Sequence, residues 1–162
     1  MSIFNEARKE LWSELQGLSD EDLNKRPAEE EWSVQEVLDH LKKIDLMAAH
    51  LFKEKIQHAP IKTIEEKPVK IAEERSPKRK APQHVEPERK NTDLLTIKAE
   101  LDNVRTQLTS VIAAFQEEDF QRVLPHPVFK ELTVRQWIDF IGHHEKRHIQ
   151  QIQEIKQKLG RD

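Results

Sequence analysis

The stretch from Thr133 to Leu159 constrains the fold more than any other. Trp137, Ile141, Ile152, Ile155 and Leu159 recur there at helical spacing. Thr133, with Gln136 three residues on, is the signature of a capping box at its start. His144 and His148 fall on the same apolar stripe, between Ile141 and Ile152. Four residues apart on a helix, their imidazoles lie one above the other on one face. Burying two polar rings is costly unless something satisfies them. A divalent metal is one such partner, because His at i and i+4 can both reach one ion; neighbouring side chains or water are another.

Three further stripes follow the same rule. Ile3, Phe4, Ala7, Leu11 and Leu15 mark a first helix that ends near Gly17, and Ser19 to Leu23 reads as a short capped turn closed by Pro27. Ser33 with Glu36 is a second capping box, directly after Trp32. The helix it opens carries Val34, Val37, Leu38, Leu41, Ile44, Ala48, Leu51 and Phe52. At about 100° per residue, His40 sits at the edge of that stripe and His50 points to solvent. Asn91 or Thr92 can cap a third long helix through Leu94, Ile97, Leu101, Val104, Leu108, Val111, Ile112 and Phe115. Asp119 to Leu132, with Pro125 and Pro127, is read as a connector into the last helix. Four long amphipathic helices over residues 1–162 predict an all-α, single-domain four-helix bundle.

Between the second and third long helices the pattern breaks. His58 to Thr92 holds five of the eight prolines, nine Lys/Arg and six Asp/Glu, with no sustained period. It is expected to be a long, solvated loop; such loops are often lids or binding loops. Lys78-Arg79-Lys80 is too short and too flanked by acids to read as nucleic-acid contact. The net charge of −3 gives no general pull toward nucleic acid. No run of 18 apolar residues is present to span a membrane, and Met1 to Leu18, amphipathic and acidic, is not expected to be a signal peptide. The absence of cysteine removes disulfides, Cys-ligated zinc and a cysteine nucleophile, and fits a cytoplasmic protein.

Two strings resemble a known family. Residues 31–41, Glu-Trp-Ser-Val-Gln-Glu-Val-Leu-Asp-His-Leu, look like the second helix of the DinB/YfiT-like superfamily. Residues 126–137, His-Pro-Val-Phe-Lys-Glu-Leu-Thr-Val-Arg-Gln-Trp, followed by His144-Glu145-Lys146-Arg147-His148-Ile149-Gln150-Gln151-Ile152, look like its last helix and the loop before it. Lys130 departs from the family pattern, which has glycine there in many members. The resemblance implies an up-down-down-up bundle, often a homodimer. It also implies a divalent metal, nickel or zinc most prominently, on three histidines, which by position are His40, His144 and His148. Members of known activity include enzymes that transfer a low-molecular-weight thiol, such as bacillithiol or mycothiol, onto electrophiles, and mycothiol-dependent isomerases.

A metal on three neutral imidazoles keeps its full charge and can activate water or a thiol, so that no protein nucleophile is needed. Three hypotheses follow. The first is a metal-dependent thiol S-transferase or hydrolase acting on a small electrophile. The second is a non-catalytic, metal-stabilised bundle serving dimerisation or partner binding. The third, ranked last, is nucleic-acid binding through the basic loop. Asp45 is a weak candidate for orienting a ligand imidazole, while Asp39 and Glu145 face away from the ligands beside them. Arg147 is assigned an ion pair across a helix interface, with binding of an anionic substrate as the alternative; His143 is taken as a non-ligand, and His126 as a turn residue that can approach the open metal position.

Overall fold

The computed structural model describes residues 2–76 and 80–161. Helices α1 (Ile3–Leu15), α2 (Asp20–Asn24), α3 (Val34–Lys55), α4 (Leu94–Ala113) and α5 (Val134–Lys158) form where the apolar spacing predicts them. Ser33 and Glu36 make the full capping box at α3. The α5 box is half made: Thr133 accepts from the Gln136 amide, but the Gln136 side chain donates to the Lys67 carbonyl at 3.0 Å instead of returning to the cap. At α4 the cap is Asp93, not Asn91 or Thr92. Its carboxylate accepts from the Thr96 amide at 2.7 Å, where a negative charge also suits the helix dipole. The Thr92 backbone is held one residue earlier by both ends of the Asn24 amide.

Cross-helix pairs fix the directions. Glu10 meets Lys146 and Glu14 meets Lys156, so α1 and α5 run parallel. Asp45 meets Arg105 and Lys42 meets Glu100, so α3 and α4 run parallel too. Phe52 meets Trp137 while His40 meets His144, so α3 and α5 are antiparallel. This is the up-down-down-up four-helix bundle. It explains the long charged segment. A chain that leaves the end of α3 must return its whole length before α4 starts in the same direction, about 33 Å for a helix of 22 residues. The crossover does so in short 3-10 turns at Ile56–His58, Val69–Glu73 and Gln83–Val85, pinned by the buried Val69 and Val85. Lys78 and Arg79 of the basic triplet lie outside the described residues.

The expected connector before α5 contains a two-stranded antiparallel hairpin, β1 (Val123–His126) and β2 (Lys130–Thr133). Val123, Leu124 and Leu132 turn into the core, and the Trp137 indole donates to the Pro125 carbonyl at 3.2 Å, locking the hairpin to α5. Lys130 sits at φ +68°, in the left-handed region that glycine occupies at least cost, which is the physical sense of a glycine at that position.

One charged side chain from each long helix meets at mid-height. Arg8 contacts Glu145 at 2.6 Å and Asp45 at 3.1 Å; Arg105 contacts Asp45 at 2.8 Å and Glu145 at 2.7 Å. All four are buried. The ring separates two apolar cores, one around Phe52, Leu108, Trp137 and Ile141 and one around Leu11, Leu38, Leu101 and Ile152. Just beyond it, α5 presents Gly142 to the first turn of α1. A Cβ there would stand 2.7 Å from Ile3 C and Phe4 N, both backbone atoms. No helix among the described residues is long and apolar enough to cross a membrane.

Two stability outcomes follow. Glu145→Ala leaves two buried guanidiniums short of a counter-charge and is expected to cost about 3–5 kcal/mol in denaturant unfolding. Gly142→Ala forces α1 away from α5 and is expected to cost about 2 kcal/mol; an unchanged melting temperature would contradict the close approach.

Candidate metal centre

The site lies on the α3–α5 face, beneath the crossover. α3 supplies His40 and α5 supplies His144 and His148 one turn apart, as the spacing requires. His40 is fully inside and not at a rim, because the crossover covers the edge of its helix. His40 Nε2 lies 3.5 Å from His144 Nε2, and His148 Nε2 lies 3.2 Å from the same atom.

Two of the three tautomers are set by hydrogen bonds on the far side of the ring. His40 Nδ1 donates to the Val85 carbonyl at 2.6 Å. His148 Nδ1 donates to Gln151 Oε1 at 2.8 Å. Each proton on Nδ1 leaves Nε2 with a bare lone pair. His144 Nδ1 is buried with no hydrogen-bond partner among the described residues. Nitrogen lone pairs turned on one another repel, and a cation between them removes the repulsion. An ion about 2.0–2.1 Å from two imidazole nitrogens at a tetrahedral angle sets them about 3.3–3.4 Å apart, which matches the spacing found. The donor set fits a divalent metal, and His40, His144 and His148 can hold one.

Burial disfavours the charged form of all three rings. His40 is lowered by burial against a partly offsetting bond to Val85. His144 is lowered well below its ordinary value by burial, with His40, Arg147 and His126 adding to it, and His148 by burial with His144 and His40. The three are therefore neutral near pH 7, the form in which imidazole binds metal.

The triad opens onto a cavity of about 560 Å³. Trp32 stacks near His148, with ring centres 6.4 Å apart, and Ile44, Met47 and Phe140 add apolar wall. Arg75 of the crossover pairs with Glu154, and Glu31 with Lys158, at its rim. Arg147 is buried and lines the cavity. His126, expected in a turn near the open position, also lines it and is 4% exposed. His143 stays outside the triad, its Nδ1 3.4 Å from the Glu73 carboxylate, and His50 is exposed. Asp45 does not orient a ligand: its carboxylate belongs to the charged ring. Asp39, set aside as an orienter of His40, accepts from the Glu88 amide and so tethers the crossover. The Val85 carbonyl is the contact that sequence reasoning missed, since a backbone acceptor has no side-chain signature.

Residues 3–152 match the DinB superfamily, and the chain belongs to it. It is 64% identical over 161 residues to an uncharacterized protein, YuaE, of Bacillus subtilis (strain 168), covering 99% of both chains. Two solved structures share the fold at 18% identity. TT2238, a four-helix bundle protein, aligns with a TM-score of 0.65 over 94% of each chain. YfiT from Bacillus subtilis, described as a probable metal-dependent hydrolase with an unusual four-helix bundle topology, aligns with a TM-score of 0.66 over 99% of this chain and 85% of its own.

Acid sensitivity follows from the buried rings. Their folded-state pKa values lie below the unfolded value near 6.5, so the unfolded chain binds more protons as pH falls through that value. Stability of the metal-free protein is expected to be level above about pH 7 and to drop below 6.5. His126 alone, lowered by burial to about 4, accounts for about 3 kcal/mol by pH 4. Urea unfolding between pH 4 and 8 measures this; a flat profile would contradict it.

Proposed function

We propose that this protein is a metal-dependent enzyme that holds one divalent ion, nickel or zinc, on His40, His144 and His148 and activates a nucleophile against a small electrophilic substrate. The observation that carries this reading is the convergence of three Nε2 atoms, two with their protons fixed on the far nitrogen, beside a cavity of about 560 Å³. A structural zinc site closes with four protein ligands, whereas three leave a position for a reactant. The cavity is in the range that encloses a small organic ligand.

The ion, when bound, supplies Lewis acidity that makes water or a thiol nucleophilic at neutral pH. The chain supplies the rest. Val85 and Gln151 keep the ligand lone pairs aimed inward, since each holds a proton on Nδ1. Trp32, Phe140 and the crossover wall the cavity beside the triad. The absence of cysteine is consistent with a nucleophile from outside the chain: water for a hydrolase, a low-molecular-weight thiol for an S-transferase. YfiT's description as a probable metal-dependent hydrolase supports the first, and the thiol-transferring members of the family support the second. The same reading takes the protein as a cytoplasmic homodimer whose ligand is a small molecule and not nucleic acid or membrane.

Metal content by mass spectrometry tests it, beside a His144→Ala, His148→Ala double variant. Near one equivalent per chain is expected in the wild type and none in the variant, with hydrolysis or thiol addition then screened on small electrophiles. A wild-type protein that takes up no metal after incubation with nickel and zinc overturns the proposal.

A further inference from the structure

His126 is a buried polar side chain on the cavity that the triad does not use. It ends β1, and its ring packs against Trp137 and Phe140, with centres 4.4 Å and 4.3 Å away. Phe140 in turn stacks on His144 at 5.6 Å, so one aromatic ring separates His126 from a metal ligand. The amide N–H groups of Val128 and Phe129 both donate to His126 Nδ1, at 3.0 Å and 3.2 Å. A nitrogen that accepts two hydrogen bonds carries no proton, so the ring proton of the neutral imidazole is on Nε2. That N–H is buried and has no hydrogen-bond partner among the described residues. The ring lines the same cavity as His40, His144 and His148.

An orphaned buried donor is costly in a folded chain. Here the cost is imposed by the hairpin itself, whose two backbone amides dictate which nitrogen is protonated. Burial also keeps the ring neutral at working pH, with its pKa near 4. Such a group is neither a general base nor a metal ligand through Nδ1. Its remaining hydrogen-bonding capacity is one donor, Nε2–H, for an acceptor that reaches it from the cavity.

We propose that His126 is a substrate-contacting hydrogen-bond donor whose Nε2–H receives a carbonyl or anionic oxygen of the molecule bound at the histidine triad. The proposal deepens the metal-enzyme reading and rests on it. It names the substrate class: a small electrophile, or the adduct formed from it, with an oxygen that gains negative charge as the nucleophile adds. A preorganised donor in a water-poor site stabilises such an oxygen more as its charge develops. The proton stays on Nε2 throughout, and no bond to His126 is made or broken.

Two variants separate the donor from the turn. In His126→Asn the side-chain oxygen takes the place of Nδ1, so the Val128 and Phe129 amides keep an acceptor while the outer N–H is lost. In His126→Gln an amide N–H reaches toward the Nε2 position. Two-bond nitrogen–proton spectra of the metal-free protein, with His126 assigned by its absence in His126→Asn, are expected to show the Nε2–H tautomer from pH 6 to 8. The nickel-loaded proteins are then titrated with acetohydroxamate, which offers acceptor oxygens, and with imidazole, which when bound through one nitrogen offers none. His126→Asn is expected to weaken acetohydroxamate roughly tenfold or more, to leave imidazole within about twofold, and to be largely rescued by His126→Gln. An Nδ1–H tautomer, or equal acetohydroxamate affinity in the wild type and His126→Asn, overturns the proposal; the second result is what an N–H satisfied by the Phe140 and Trp137 faces alone would give. Failure of the wild-type protein to take up either nickel or zinc overturns the metal-enzyme reading and this one with it, whereas normal uptake with unchanged acetohydroxamate affinity overturns this one alone.

Discussion

Four charges buried at the centre of the bundle hold the rest of the structure in place. Arg8, Asp45, Arg105 and Glu145 come one from each long helix and alternate in sign around the ring. Two remaining guanidinium N–H groups reach the Leu101 and Phe4 carbonyls, and Arg105 lies over the Phe4 ring at 4.1 Å. A buried ion pair adds little net stability over an apolar isostere, but an incomplete one is strongly destabilising. The ring therefore acts on alternatives: any rotation or one-turn slip of a single helix leaves a charge unpaired between two apolar cores. Glu145 is sequence neighbour to His144, so the interaction that fixes the rotation of α5 also fixes where the imidazoles of His144 and His148 point.

The crossover is the second determinant. Two parallel helix pairs oblige the chain to run back along the bundle, and the return path passes over the groove between α3 and α5. Its attachments fall on both walls of that groove. Gln35 holds the Glu88 carbonyl and the Lys90 amide, Asp39 holds the Glu88 amide, and Lys43 holds the Glu86 carbonyl on the α3 side. Gln150 and Glu154 hold Glu73 and Arg75 on the α5 side. A segment rich in proline and charge is thus ordered by helix side chains bonding to its backbone, not by a core of its own.

The helices, their order and the inward pair on α5 were legible because each rests on a local rule: a 3.6-residue period, a cap, a spacing of four. His40 was legible as an edge position and became a buried one, since the crossover that covers it has no periodic signature. The charged ring is also written in the sequence. Arg8, Asp45, Arg105 and Glu145 each occupy a position on an apolar stripe, at Phe4-Arg8-Leu11, Leu41-Asp45-Ala48, Leu101-Arg105-Leu108 and Ile141-Glu145-Ile152. Four charges at four core positions, two of each sign, ask to be paired with one another; reading Asp45 only as a possible partner of His40 hid this. The hairpin was not legible. Its strands are four residues each and depend on Pro60, Arg122 and the Trp137 indole for pairing, all contacts distant from a local pattern.

The bond from His40 to the Val85 carbonyl joins the histidine triad to the least regular part of the chain. Whatever favours a bare His40 Nε2 favours a docked crossover, and by reciprocity a crossover that leaves its seat withdraws the acceptor that holds the proton on Nδ1. The tautomer of His40 and the seating of the crossover over the groove are then two readings of one equilibrium. A change in the sequence between Ala59 and Asn91 can therefore alter the tautomer of His40 without touching any of the three histidines, which makes the segment least bound by helical periodicity a lever on the most buried part of the site.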